Sequence, residues 1–227
     1  MKTIELFSGS KSFSKVAEVW GYQTFTVDID PTFNPDLVAD IGKLNVSALP
    51  YRPHILWCSP PCEAVSVASI GRHWKADYTP KTVAAFNAIA LIRRMAALIN
   101  SIQPDWVFIE NPRGMLRKLN LLENYDRKTI TYCQYGDSRM KPTDIWTNAN
   151  WWKPKQPCKN GMPCHEPAPR GSKTGTQGLK NRFERGRIPG DVFHELFRQQ
   201  AQFDPTSMGD SSPSAPLSLT TADSLAA

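Results

Sequence analysis

Cysteine is scarce in this chain, with five residues in 227. An odd count at this length argues against a disulfide framework and for a reducing, cytoplasmic setting. No uninterrupted apolar run reaches the length of a membrane span, so none is expected. The first seven residues enter a strand pattern directly, without the layout of a secretory signal. No internal repeat is visible. Acidic residues are outnumbered, 21 Asp and Glu against 27 Lys and Arg, for a net charge of +6. That balance permits nucleic-acid binding without requiring it. Arg and Lys cluster from 153 to 198, where acids are sparse, so one side of the molecule is expected to be electropositive.

An apolar content of 41% suits one α/β domain with a small appendage. Residues 3–7 read as a short strand ending in Ser8-Gly9-Ser10. Residues 14–20 carry helical spacing and stop at Gly21. Residues 23–27 alternate and meet Asp28-Ile29-Asp30-Pro31, 36–40 lead into Ile41-Gly42, and 55–58 form a buried strand. This alternation predicts an α/β fold with a doubly wound, mostly parallel sheet. Residues 79–102 are the clearest helix, with Thr79 as cap, Pro80 in the first turn, and an apolar stripe of Val83, Phe86, Ala90, Met95, Leu98 and Ile99. Further strands are expected at 105–110, 129–133 and around 144–146. Residues 153–178 lack periodicity and read as a loop or small irregular lobe. A helix is expected at 188–203, and a disordered tail at 204–227. The organisation is thus an α/β domain at 1–150, a small basic region at 151–187, a helix packing on the core and a tail.

Two runs carry chemistry. Ser-Pro-Pro-Cys at 59–62 and Glu-Asn-Pro at 110–112 each follow a strand-like stretch. A thiol and a carboxylate placed this way can meet at the edge where open parallel sheets build their sites. Cys62 is a candidate nucleophile, since nearby positive charge activates a thiolate, and its loop is expected to run toward the basic residues at 72–75. Cys58, within the strand, reads as an inert core thiol. The Phe7-Ser8-Gly9-Ser10 turn between strand and helix can present N–H groups to an anion. Asp28 can accept hydrogen bonds from two ribose hydroxyls, and Asp40 can meet an adenine amino group. The missing multi-glycine pattern argues against a dinucleotide fingerprint. Cys158, Cys164 and His165 could ligate zinc with a fourth residue such as Cys133. Tetrahedral sites usually draw on two short ligand pairs and only one cluster is visible, so the expectation is no metal and two free thiols in a loop.

In order and spacing these motifs resemble the S-adenosylmethionine-dependent DNA cytosine-C5 methyltransferases, over residues 3–148 and more faintly to 197. Phe7 and Gly9 meet the family's Phe-x-Gly-x-Gly turn, with Lys11 in place of its second glycine. Asp28 matches an acidic residue after strand two, and Asp40-Ile41 an Asp-Ile pair after strand three. The resemblance implies a fold of the Rossmann-like methyltransferase kind. It also implies an S-adenosyl-L-methionine site built from Phe7, Ser8, Gly9, Ser10, Asp28, Ile29, Asp40, Ile41 and Pro61. Cys62 would attack C6 of a cytosine flipped out of double-stranded DNA, and C5 would take the methyl group. Glu110 would hold the N3 edge of the base, its carboxyl pKa raised. Tyr135-Gly136 aligns with the start of a Tyr-Gly-x-Pro-Gln-x-Arg-x-Arg motif. Arg139 then falls at its Gln and Lys141 at its first Arg, which makes both candidates for the catalytic site. Gly175-Thr176-Gln177-Gly178 stands in for the last family motif. The basic stretch 153–187, with Trp151 and Trp152 before it, occupies the place of the recognition region; the two tryptophans are equally candidates for the core. A monomer is expected. Three alternatives stay open: a catalytically silent DNA-binding relative, to which Lys11 and Arg139 would point; an amino (N4 or N6) methyltransferase, which would need an aromatic residue where Cys62 stands; and an RNA cytosine methyltransferase.

Overall fold

The computed structural model describes residues 1–50, 52–169, 179 and 181–204. Among the described residues there are seven strands: β1 Lys2–Leu6, β2 Gln23–Asp28, β3 Leu37–Val38, β4 Ile55–Cys58, β5 Trp106–Pro112, β6 Asp126–Thr131 and β7 Pro142–Thr147. They form one sheet in the order β3-β2-β1-β4-β5-β7-β6. β1 to β5 are parallel, and β7 runs antiparallel to both β5 and β6. The predicted mostly parallel, doubly wound sheet is therefore present. Among the described residues five helices accompany it: α1 Ser12–Val19, α2 Ile70–His73, α3 Val83–Ile102, α4 Arg182–Gly186 and α5 Gly190–Phe203.

The central strand β4 is buried throughout, as a parallel strand covered on both faces must be. Its alternating side chains supply two separate cores. Leu56 and Cys58 join Ile4, Leu6 and Ile109 beneath Ile92, Met95, Leu98, Ile99 and Ile102 of α3. Ile55 and Trp57 join Phe108 on the other face, beneath Phe13 of α1 and Val192, Phe193, Leu196 and Phe197 of α5. Trp152 is fully buried there, and Trp151 stacks on Phe203 with centroids 5.7 Å apart. Trp152 is a core residue, and Trp151 is half-buried against that core.

α3 begins later than expected. Asp77 captures Thr79, accepting from its N–H at 3.0 Å and its hydroxyl at 2.7 Å, so that segment is a turn. Thr82 is the cap, its Oγ1 accepting from the Ala85 N–H. The apolar stripe is also out of phase at its start. Ala85 faces inward, toward Val65, Trp74 and Met115. Val83 and Phe86, two residues before and one after it, are accordingly exposed. α3 is long and apolar enough to cross a membrane, but its inner face covers the sheet. The strand expected at 129–133 ends at Thr131, and Tyr132–Tyr135 close into a 3-10 turn. The 175–178 motif and residues 205–227 of the tail lie outside the described residues.

Candidate active site

The carboxyl ends of β1, β2, β4 and β5 lie side by side around the point where strand order reverses, between β1 and β4. Loops leaving that edge carry the candidate residues.

After β1 the chain makes a tight turn through positive φ at Phe7 (58°), Gly9 (42°) and Lys11 (54°). Asp28, buried at the end of β2, holds it: one carboxylate oxygen accepts from the Gly9 N–H at 2.8 Å, the other from the Asp30 N–H at 2.9 Å. Lys11 adopts the left-handed conformation that a glycine would take there, and its Nζ donates to the Asn34 carbonyl at 2.5 Å. Ser10 and Ser12 share a hydrogen bond at 2.6 Å. The buried Ser8 Oγ has no partner in the protein. Ile29 is 66% exposed beside this turn, whereas the Ile41 side chain packs into the core and is not open to a ligand. Asp40 forms a local turn, accepting from the Gly42 N–H at 2.8 Å.

The expectation that α1 offers its first N–H groups to an external anion needs correction. Glu5, pointing up from β1, already accepts from Ser14 N at 2.9 Å and Phe13 N at 3.4 Å. The helix start is answered from within the chain. Burial raises the Glu5 carboxyl to about 7, against the pull of these bonds.

After β4, Trp57 Nε1 donates to Ser59 Oγ at 2.9 Å, and Ser59 in turn bonds the Glu110 carboxyl. Pro60 is buried and Pro61 exposed. Asn111 Nδ2 donates to the Pro60 carbonyl at 2.9 Å, tying the loop to β5. The Cys62 carbonyl accepts from the Val65 and Ser66 N–H groups at 3.0 and 2.8 Å, so the cysteine opens a compact turn. That turn pairs with the chain leaving β5, where Ser66 bridges Gly114 and Met115 N donates to Val65 O. A Cβ at Gly114 would stand 2.1 Å from the Val65 oxygen. Gly114 is thus a positioning residue that sequence reading missed; its only signal was a glycine just past Glu-Asn-Pro.

Cys62, Glu110 and Lys141 come together. Burial pushes the Cys62 thiol up to about 11, with further upward pressure from Glu110 and Glu63 and relief from Lys141. The expected activation by the cations at 72–75 is replaced by this single lysine. Glu110 is buried and its pKa raised by desolvation, as expected of it; Lys141 and hydrogen bonds from Tyr132 (3.1 Å) and Ser59 oppose the rise. Burial lowers the pKa of Lys141, and Glu110 counteracts. Its Nζ lies 4.6 Å from the centroid of the Tyr132 ring and donates to the Arg185 carbonyl at 2.8 Å.

Arg139, expected in the catalytic group, is not available to a substrate. A guanidinium has five N–H donors. Here Nε and Nη2 bind the Asp137 carboxylate, Nη1 binds the carbonyls of Glu184 and Arg185, and Nη2 also binds that of Arg187. Arg139 clamps the end of α4. Cys158, Cys164 and His165 gather with Cys133 in the turn after β6.

A family model described as C-5 cytosine-specific DNA methylase matches residues 1–131. A Frog virus 3 (isolate Goorha) protein named "Probable DNA (cytosine-5)-methyltransferase" is 30% identical over 162 residues, which are 68% of this chain and 74% of the viral one. Among solved structures, the S. pombe Dnmt2 methyltransferase matches with a TM-score of 0.44 and 16% identity, over 65% of this chain and 50% of its own. The Entamoeba histolytica methyltransferase EhMeth matches with a TM-score of 0.44 and 14% identity, over 69% and 55%. The chain spans about half the length of these two solved structures.

Proposed function

The chain belongs to the C-5 cytosine-specific DNA methylase family, and we propose that it methylates C5 of cytosine in DNA with Cys62 as nucleophile and Glu110 as the acid that holds the base. The observation that carries this reading is the meeting of Cys62, Glu110 and Lys141 at one sheet edge, where Lys141 favours the charged form of both the thiol and the carboxyl. The enzyme is a DNA (cytosine-5)-methyltransferase.

The residues around β1 and β2 suit S-adenosylmethionine. The unpartnered Ser8 Oγ offers a hydrogen-bonding group. The Asp28 carboxylate has capacity left for ribose hydroxyls beyond its two backbone bonds, and exposed Ile29 offers an apolar face for the adenine. When bound there, the donor supplies a methyl group on a sulfonium.

The cytosine is taken from the stack and placed between Cys62 and Glu110. The Cys62 sulfur bonds to C6 while Glu110, whose burial favours the protonated form, shares its proton with N3. This draws electrons from the ring and makes the attack easier. Lys141 supplies the positive charge that stabilises the thiolate and can reach the cytosine O2 or a nearby phosphate. C5 then takes the methyl group, loses its proton, and the thiolate leaves. The basic segment from 153 onward, with α4 clamped over the site by Arg139 and Lys141, serves as the DNA-facing surface. None of the five cysteines is in a disulfide, which suits a reducing compartment. Lys11 keeps the turn in the shape a glycine would give, which speaks against the silent relative.

Duplex DNA carrying 5-fluorocytosine tests the reading. Fluorine cannot leave C5 as a proton does, so with S-adenosylmethionine present the adduct persists. A covalent complex mapping to Cys62, and absent in Cys62→Ala, is the expected result. No adduct from protein that binds both DNA and donor overturns it.

A further inference from the structure

Four soft ligands converge where the chain has no core of its own. Residues 153–169 contain neither helix nor strand. Cys133, buried in the turn that closes β6, faces Cys158, Cys164 and His165 from this stretch, and their ligating atoms all lie within 4.8 Å of one another. Cys164 Sγ lies 3.1 Å from Cys158 Sγ and 3.8 Å from Cys133 Sγ. His165 Nδ1 lies 3.4 Å from Cys158 Sγ and 3.7 Å from Cys164 Sγ. Zinc bonds of about 2.3 Å to sulfur and about 2.0 Å to nitrogen, at tetrahedral angles, place two sulfurs about 3.8 Å apart and sulfur and nitrogen about 3.5 Å apart. Three of these four distances match those dimensions and the Cys158–Cys164 pair is contracted. A Cys158–Cys164 disulfide would need the sulfurs at about 2.05 Å, and it would leave the convergence of Cys133 and His165 without a purpose.

We infer that Cys133, Cys158, Cys164 and His165 bind one zinc ion in a closed structural site. Four protein ligands leave no position for water or substrate, which separates this site from catalytic zinc. The surroundings hold the ligands in place. Gln134 Nε2 donates to Cys164 Sγ at 3.5 Å, and the Cys158 N–H to Thr131 Oγ1 at 2.8 Å. Three thiolates and one zinc carry a net negative charge, and Lys155, whose Nζ binds the Gln134 carbonyl at 2.9 Å, places a cation beside it. The metal fastens the segment 158–165 to the turn from which Tyr132 reaches Glu110. A stretch too small to bury a core takes its fixed shape from a metal in this way.

The test measures metal, so it is independent of methyl transfer. Full-length protein is prepared under reductant, incubated with zinc and dialysed. Wild type is expected to retain one zinc per chain by elemental analysis. Loaded with cobalt(II) instead, it is expected to show thiolate-to-metal charge transfer and the intense visible bands of a tetrahedral site. Cys164→Ser changes an exposed side chain, so the fold survives, and zinc affinity is expected to fall by at least about tenfold, the cost that loss of even an outer-shell partner carries. A chelator is expected to lower the melting temperature of wild type, and to do so in the variant at a lower chelator concentration. Wild type that retains no zinc, or Cys164→Ser with unchanged affinity, overturns the inference.

Discussion

Asn111 Nδ2 donates to the Pro60 carbonyl at 2.9 Å, so the strand that carries Glu110 also holds the loop that carries Cys62. Asn111 is fully buried, and the two residues are 51 apart in sequence. The bond sets the spacing between Cys62 and Glu110, the proposed nucleophile and acid, and misplacement by an ångström costs on the order of a hundredfold in rate. Asn111→Ala is expected to lower kcat by about tenfold to a hundredfold while S-adenosylmethionine affinity stays unchanged. Single-turnover methylation beside equilibrium dialysis of labelled donor checks this. Equal losses in both would assign the bond to general stability instead.

Cys62 and Glu110 oppose each other in the free protein. The thiol sits near 11 because it is buried and because Glu110 is negative. The thiolate fraction, and with it alkylation by iodoacetamide, is expected to climb steadily between neutral pH and pH 10. Glu110→Gln removes the repelling charge and lowers the thiol pKa. Alkylation of Cys62 at pH 8 is then expected to quicken by up to about tenfold, the equivalent of one pKa unit, while methyl transfer falls. A variant that loses both reactivities would show that Glu110 does not act on the thiol through its charge.

Sequence order made the sheet and the meeting of Cys62 with Glu110 legible, because both follow from apolar strands that end at one edge. Side-chain commitments were not legible. Arg139 aligned with a family position, yet Asp137, two residues away, and the carbonyls of 184–187 use all its donors; nothing local shows that α4 returns to this place. The thiol's environment was misjudged for the same reason. Basic residues nearby in sequence suggested activation, whereas Lys141, 79 positions on, is the cation that acts on Cys62. Cys133 likewise stands 25 residues before Cys158, outside any short ligand spacing. The phase of α3 was missed because Ala85, not a bulky residue, faces the small cluster beside the Cys62 loop.

Gly114 permits the close approach of the chain after β5 to the turn after Cys62. A Cβ there would meet Val65 O at 2.1 Å and Ser66 Cα at 2.9 Å, both backbone atoms that cannot swing aside. Gly114→Ala is expected to cost about 3 kcal/mol of stability and to displace the Cys62 turn. Urea unfolding measures the first effect. Adduct formation with 5-fluorocytosine DNA, at a temperature where the variant stays folded, measures the second. Full adduct formation would show that the turn shifts without moving the sulfur.

Lys11 holds a left-handed backbone at φ 54°, which costs an ordinary residue about 1–2 kcal/mol relative to the right-handed form. Its Nζ bond to Asn34 O returns part of that. Lys11→Gly relieves the strain and loses the bond, for an expected net gain of about 0.5 kcal/mol. Lys11→Ala keeps the strain and loses the bond, and is expected to be less stable than the parent by about 0.5–1 kcal/mol. The ranking Gly, Lys, Ala in urea midpoint checks both. Alanine at or above lysine would mean that the turn is unstrained.

Glu5 makes stability depend on pH in the direction opposite to most carboxylates. Its ordinary value is 4.5, and burial under α1 raises it to about 7 in the folded chain. Between those values the folded state holds a proton that the unfolded state has released. Stability therefore falls as pH rises through this window and levels off above it, a loss on the order of 3 kcal/mol. Glu5→Gln keeps an acceptor for the Ser14 N–H and cannot ionise. The variant is expected to gain on wild type as pH rises from about 4.5 to about 7, with the gap constant above that. Urea unfolding of both proteins at several pH values reads this directly. A constant gap across the range would mean that the helix N–H groups keep Glu5 ionised throughout.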